Sequence, residues 1–295
     1  MLTRCLVLVT TLLVYPVTSF ASNNETPTLN IIYPKPERDH ELDNWYPLAL
    51  LKLALEHSGQ TYTLQSSIKM VQSRSLKELE QGELVNVVWS MTSIEREAVF
   101  KPIRIPIYKG LYGWRLLLTT KDKLHLFEPL KTPAQLKKLY FVQGHDWPDT
   151  QILQDNDFQV STSTSYEALF NMLAKGRGDA FPRSILEVDW ELEQQPDTHT
   201  FTTVPNVVLT YPAAIYFFVN SKHDDLHKAI QTGLEEIHRN GQFNNLFNRY
   251  FAKSIANAKL AEKQIIKLEN KHLPPLTPVD NRALWFTPEN NQLDK

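Results

Sequence analysis

Hydrophobic and polar positions alternate along this chain in a strand–helix rhythm. Residues 29–33 form a short apolar run stopped by Pro34 and predict a first strand. Residues 45–57 (WYPLALLKLALEH) carry apolar side chains at helical spacing and end at Ser58-Gly59, a helix stop. Strands are predicted at 61–65, 84–89 and 111–119, with a short helix over 75–81 before Gly82. Thr132-Pro133 pairs an N-cap with a first-turn proline and opens a helix to 139. A strand at 139–142, a helix at 147–153 and a helix at 166–175, closed by Gly176, come next. Residues 179–181 read as a short strand followed by a helix to 193. The last units are a strand at 212–219 and helices at 226–240 and 243–251. This order predicts an α/β protein with mainly parallel sheets. Past Ala252 the pattern loosens. Residues 254–270 read as a polar helix. Pro274, Pro275, Pro278 and Pro288 then keep a strap extended, with Leu273, Leu276, Leu284, Trp285 and Phe286 available to pack on the body.

Composition narrows the function classes. At 295 residues the chain is one large domain or two of ordinary size. Lys+Arg number 31 against 33 Asp+Glu, so no basic excess points to nucleic acid. The single cysteine, Cys5, excludes a disulfide framework and a cysteine-based zinc site. Residues 1–21 read as an export signal. Arg4 is the positive start, an apolar core of 11 residues is too short to span a bilayer, and Ser19 and Ala21 are small residues at the cleavage positions. The expectation is a periplasmic monomer, free of thiol after cleavage.

Enzyme signatures are lacking. The sequence has no G-x-S-x-G and no H-E-x-x-H, and no cofactor or metal is expected. His223 and His227 are spaced for a metal, but a solvated helix face explains them beside Asp224 and Asp225. Candidate binding residues come instead from element ends. Trp89 closes a predicted parallel strand, where open α/β sheets place ligands, or else is a core tryptophan. Trp147 follows the Gly144-His145-Asp146 turn and heads a helix whose free N–H groups favour an anionic group, which brings His145 into the candidate set. Tyr33 and Tyr108 stand at strand ends.

Short motifs in sequence order resemble one family. VVWSMTSIER (87–96) is similar to a strand–loop with the pattern M-T-x-[ST]-x-E-R, one residue shorter here. GRGDAF (176–181) is similar to a G-R-x-D-A turn, and NGQFNNLFNRYF (240–251) to a closing helix. Together they resemble the periplasmic solute-binding proteins of amino-acid import, family 3 of the extracellular solute-binding proteins. The resemblance implies a two-lobe clamp with two crossover strands. Lobe 1 would be 28–112 plus 215–252, lobe 2 would be 115–212, and 253–295 a C-terminal extension. The crossovers would lie near Gly113-Trp114 and at 211–213. It implies a small-molecule ligand in the cleft, no catalysis, and a membrane permease or a sensor as partner. A lyase similar to cyclohexadienyl dehydratase is an alternative on the same fold and would need a cleft acid such as Glu37. By resemblance, Arg96 holds a ligand carboxylate with Ser93 as its companion hydroxyl. A planar guanidinium suits that role because its fork is bidentate. The family's ammonium-binding aspartate falls here on Ser184, which cannot neutralise a cation. Glu37 or Asp146 then takes the ammonium, or the ligand is not an ordinary amino acid. Neighbouring Arg183 is either a second anion clamp or part of a salt bridge.

Overall fold

A computed structural model describes residues 28–35, 45–128, 132–196 and 200–288. Residues 1–21, expected to be an export signal, and Glu37 lie outside the described residues. In chain order the elements are β1 (Leu29–Lys35), α1 (Tyr46–Glu56), β2 (Tyr62–Lys69), α2 (Gln72–Gln81), β3 (Val87–Met91), α3 (Ile94–Val99) and β4 (Phe100–Ile103). Then come β5 (Trp114–Thr120), α4 (Pro133–Leu136), β6 (Tyr140–Gly144), α5 (Pro148–Asp155), β7 (Gln159–Ser163), α6 (Tyr166–Ala174), β8 (Phe181–Ser184), α7 (Val188–Glu193) and β9 (Phe201–Thr210). The chain closes with β10 (Ile215–Asn220), α8 (Asp224–Arg239), α9 (Gln242–Asn257) and β11 (Gln264–Lys267).

The strands divide between two lobes. In the first, β1 and β2 run parallel, and β10 is the centre of a sheet with β3 and β4 on either side. All six residues of β10 are buried, which is why its run IYFFV is apolar without alternation before Asn220. Asn86 joins the two sheets by accepting from the Ile32 N–H and donating to the Asn30 carbonyl. In α8, Leu226, Ala229, Ile230, Gly233, Leu234 and Ile237 form one buried stripe that packs on α1. Its first turn carries Asp224 and Asp225 and its last Arg239, each complementing the helix dipole. In α9, Phe243, Phe247, Phe251 and Ile255 recur every fourth residue and are buried.

The second lobe is a mixed sheet in the order β11-β9-β5-β8, extended by the parallel pair β6-β7. The Val142 N–H donates to the Ala180 carbonyl and joins that pair to β8. The expectation of mainly parallel sheets is corrected here. β10 runs antiparallel to β3 and β4, and β5 runs antiparallel to β8 and β9. The reason is topological: the chain leaves the first lobe by β5 and returns by β9 and β10, against the direction of its partners. Trp89 therefore sits on an antiparallel strand. The polar helix expected over 254–270 is also corrected. α9 ends at Asn257, and β11 adds a parallel edge strand to β9. Beyond β11 the chain is an extended strap, though Leu276, expected to pack on the body, is 69% exposed. No helix among the described residues is long and apolar enough to cross a membrane.

Candidate functional site

Two adjoining cavities of about 770 and 590 Å³ open where the lobes face each other. Met91, Trp147 and Pro148 line both and act as the partition. The larger is strongly aromatic, with Trp45 and Trp89 from the first lobe facing Trp147 and Trp190 from the second. Trp45 and Trp89 meet edge to face with ring centroids 4.6 Å apart.

Arg96 stands at the partition. Ser93 caps α3 by accepting from the Arg96 backbone N–H, 3.2 Å. That short helix turns the half-buried guanidinium back toward β3, where it donates to the Met91 carbonyl and, at 3.2 Å, to the Gln72 side chain. Both partners are neutral, and Arg96 enters no ion pair among the described residues. Burial lowers its pKa, partly offset by Asp146, Glu95 and Asp149 further off.

The other guanidiniums of the cleft are matched. Arg183 is buried and makes a two-pronged contact with Glu191, 2.6 and 2.7 Å, and a third bond of 3.0 Å to Glu187. Its plane also lies 4.7 Å from the Trp147 ring centroid. Burial opposes its charge, but Glu191 and Glu187 outweigh that and hold its pKa well above the ordinary value. Of the two roles open from sequence, the structure shows Arg183 in the ion pair. Arg115, equally buried, donates to Asp149 and, at 3.0 Å, to the Tyr211 hydroxyl. Tyr211 in turn donates to Asp149. Burial works against the Arg115 charge, and Asp149, Tyr211 and Glu187 more than compensate.

The remaining candidates fall into three groups. Trp89, Trp147, Tyr108 and Arg183 line the larger cavity; Arg96, Ser93, His145 and Asp146 line the smaller, which Trp147 also borders. Tyr33 is buried beside Trp89, centroids 6.4 Å apart, outside both linings. Ser184 is fully buried and bonds the Leu111 carbonyl at 3.3 Å and the Leu186 N–H, so its hydroxyl serves the backbone behind the cleft. Arg115, Asp149, Glu187 and Tyr211 were missed from sequence. Two signals were legible: one arginine inside the apolar strand WRLLLTT, and acids four and eight residues after Arg183.

Solved structures share this fold. A probable amino-acid ABC transporter extracellular-binding protein from Bacillus subtilis superposes with a TM-score of 0.56 at 20% identity, covering 76% of this chain and 98% of that one. An arginine transport-system periplasmic binding protein from Legionella pneumophila gives 0.57 at 16% identity, over 76% and 100%. The periplasmic VFT2 domain of BvgS from Bordetella pertussis gives 0.58 at 15%, over 76% and 93%. The fold is that of the two-lobe periplasmic binding proteins. No family model matches the sequence, and no curated protein does. At these identities the likeness is one of fold, and the covered share leaves room for the C-terminal strap as an addition to it.

Proposed function

We propose that this chain is an exported solute-binding clamp that captures a small polar, carboxylate-bearing ligand between its lobes and delivers it to a membrane transporter. The lobes would be 28–112 with 215–252, and 115–212, acting in the periplasm after loss of residues 1–21. The observation that carries this reading is the contrast among the cleft arginines. Arg115 and Arg183 are each matched by carboxylates, whereas Arg96 is anchored by a carbonyl and an amide at the point where two cavities meet. A partly buried guanidinium held this way has its orientation supplied by the protein and its counter-charge left to a ligand. The transport partner is inferred from the amino-acid importers among the similar folds.

The test is calorimetry on Arg96→Ala, using the compounds a thermal-shift screen of amino acids, peptides and carboxylates returns. Removing the partner of a desolvated charge costs ~2–5 kcal/mol, roughly 30- to 5000-fold in affinity, with the fold intact. Arg96→Lys should also bind poorly, because the ammonium keeps the charge and loses the fork. Wild-type affinity in Arg96→Ala would overturn the reading. A histidine kinase sensor domain has a similar fold, and co-purification from membranes with a permease rather than a receptor separates the two roles.

A further inference from the structure

The C-terminal strap supplies one wall of the smaller cavity. Asn270 and His272 line it, with Arg96 from the first lobe and His145 and Asp146 from the second. The likeness of fold covers 76% of this chain against 98% and 100% of two solved neighbours, and it assigns the strap no role. The strap is fixed where it meets the cavity. The Asn270 amide donates to the Pro212 carbonyl at 2.9 Å, and its Oδ1 accepts from the His272 N–H at 3.0 Å. The His272 carbonyl accepts from the Ile94 N–H at 3.1 Å, in the first turn of α3 and two residues before Arg96. Just upstream, Glu269 and the Asn156 side chain exchange two hydrogen bonds, 2.8 and 3.1 Å. These contacts tie the strap to α5 on one side and to the loop that carries Arg96 on the other.

The two ring nitrogens of His272 are in different positions. Nε2 lies 2.8 Å from an Asp155 carboxylate oxygen. An ionised carboxylate only accepts, so the hydrogen of that bond is on Nε2. In the neutral ring Nδ1 then carries the lone pair and is an acceptor. Among the described residues Nδ1 has no hydrogen-bond partner. Asp155 itself lies outside the cavity lining, and both ends of the Asn270 amide are engaged. Nδ1 is therefore the side-chain polar atom that the strap has left to offer the cavity. Two hydroxyls of the same lining are already spent: Thr92 donates to Glu97 at 2.6 Å and Thr150 to the Gly144 carbonyl at 2.6 Å. An acceptor held in one orientation discriminates, because an analogue without the matching donor leaves it unpaired.

We propose that His272 is a specificity-determining residue of the ligand site, accepting at Nδ1 a hydrogen bond from a hydroxyl or N–H beside the ligand's carboxylate, with Asp155 as its positioning residue. This rests on the clamp reading, in which the carboxylate at Arg96 brings the ligand to this cavity. The ligand class is then a donor-substituted carboxylate rather than a simple one. The strap becomes a third binding element beside the two lobes.

The experiment is calorimetry on two series whose members differ in one group: propionate, L-lactate and L-alanine, and succinate, L-malate and L-aspartate. The proteins are wild type, His272→Phe, Asp155→Ala and Arg96→Ala, with melting temperature as the monitor of fold. In wild type the hydroxyl and amino members of at least one series should bind about five- to tenfold tighter than the unsubstituted parent. His272→Phe, which keeps a flat ring, should level that series to within about twofold, and Asp155→Ala should level it in part. Loosened closure of the lobes would weaken every member equally and leave the ratios within a series alone. Unchanged ratios in His272→Phe therefore overturn the proposal. Long-range proton–nitrogen spectra of the histidine rings in mildly alkaline buffer, assigned by difference from His272→Phe, give a reading without ligand. They should show His272 as the Nε2–H tautomer, mixed in Asp155→Ala, and the Nδ1–H tautomer in wild type overturns the proposal. If wild type binds all members of a series equally and Arg96→Ala abolishes that binding, the clamp reading stands and the role of His272 falls alone. A wild type that binds neither series also overturns the role of His272, and the clamp reading is then judged by Arg96→Ala with the screened compounds.

Discussion

His238 shows how far one side chain's surroundings can set pH behaviour. Its ring stacks on Phe243 with centroids 3.8 Å apart, and among the described residues its Nε2 is buried without a hydrogen-bond partner. Burial, helped by the positive charge of Lys109, lowers its pKa from 6.5 to about 4. The folded protein thus holds this ring neutral where the unfolded chain takes up a proton. Stability from this group is intact above about pH 6.5 and declines as pH falls from there to about 4, by roughly 3 kcal/mol at most. Urea unfolding at pH 7 and pH 4.5 checks this. His238→Phe, which keeps the stack, should lose less stability between the two pH values than wild type, and an equal loss in both would refute the assignment. Nothing in the sequence announced His238, because its environment is made by Phe243 and Lys109 from other elements. Arg96 was legible because its loop pattern is local. The ion cluster was legible only in part: Arg183 and its acids share one stretch of chain, but Arg115, Asp149 and Tyr211 come from distant segments.

Elements were read well wherever burial was uniform or strictly periodic. The stripes of α1 and α8 lie within the predicted spans, the β10 run overshoots its span by Asn220, and the α9 stripe runs on to Ile255, beyond the predicted end at 251. β9 was not read, since FTTVPNVVLT mixes polar residues and Pro205 into a strand with neighbours on both sides. β11 read as helix because its residues Gln264, Ile265 and Lys267 are exposed, leaving Ile266 as its buried anchor. The strap was legible from its prolines and its few large apolar residues. Its docking depends on Gly110, whose φ of +74° and missing Cβ admit the Trp285 ring; an added Cβ would lie 2.3 Å from it. Trp285 Nε1 donates to the Pro278 carbonyl at 2.8 Å, and the Phe286 N–H to the Lys109 carbonyl at 2.9 Å. Trp285→Ala is expected to destabilise by about 1–3 kcal/mol, since the ring is only partly buried. Gly110→Ala should do similar harm by strain and clash. Because both changes break one contact, the double variant should lose clearly less than the sum in denaturant titration. Full additivity would mean the ring does not rest on Gly110.

At the scale of the whole molecule, the strap is a third link between lobes already joined by two crossovers. The crossovers pass so closely that a Cβ on Gly113 would lie 1.9 Å from the Tyr211 carbonyl oxygen, and the Tyr211 N–H donates to the Gly113 carbonyl at 3.1 Å. That tight pair leaves no bulk between its strands, which suits the hinge the proposed clamp needs. The strap leaves the second lobe through β11, bonds the returning crossover at Thr210 and Pro212, and ends on the first lobe at Gly110. His272 touches both lobes at once: its carbonyl accepts from the Ile94 N–H at 3.1 Å, and its ring bonds Asp155 at the end of α5, 2.8 Å. Rotation that opens this side of the cleft must stretch one of those contacts. One hydrogen bond is worth about 1 kcal/mol net, which moves an open–closed equilibrium roughly fivefold. His272→Ala should therefore shift the unliganded protein toward open forms while leaving its melting temperature nearly unchanged. Spin labels at the exposed positions Lys77 and Lys138, one per lobe, would read this as a distance distribution broadened to longer values by electron–electron resonance. The sole native cysteine, Cys5, lies in the segment read as the export signal, so cysteine labelling would be clean in the processed protein. A bound ligand should narrow both distributions to the same short distance, because closure is set by ligand contacts rather than by the strap. Identical distributions in wild type and His272→Ala without ligand would show that the strap follows the hinge motion and does not restrain it.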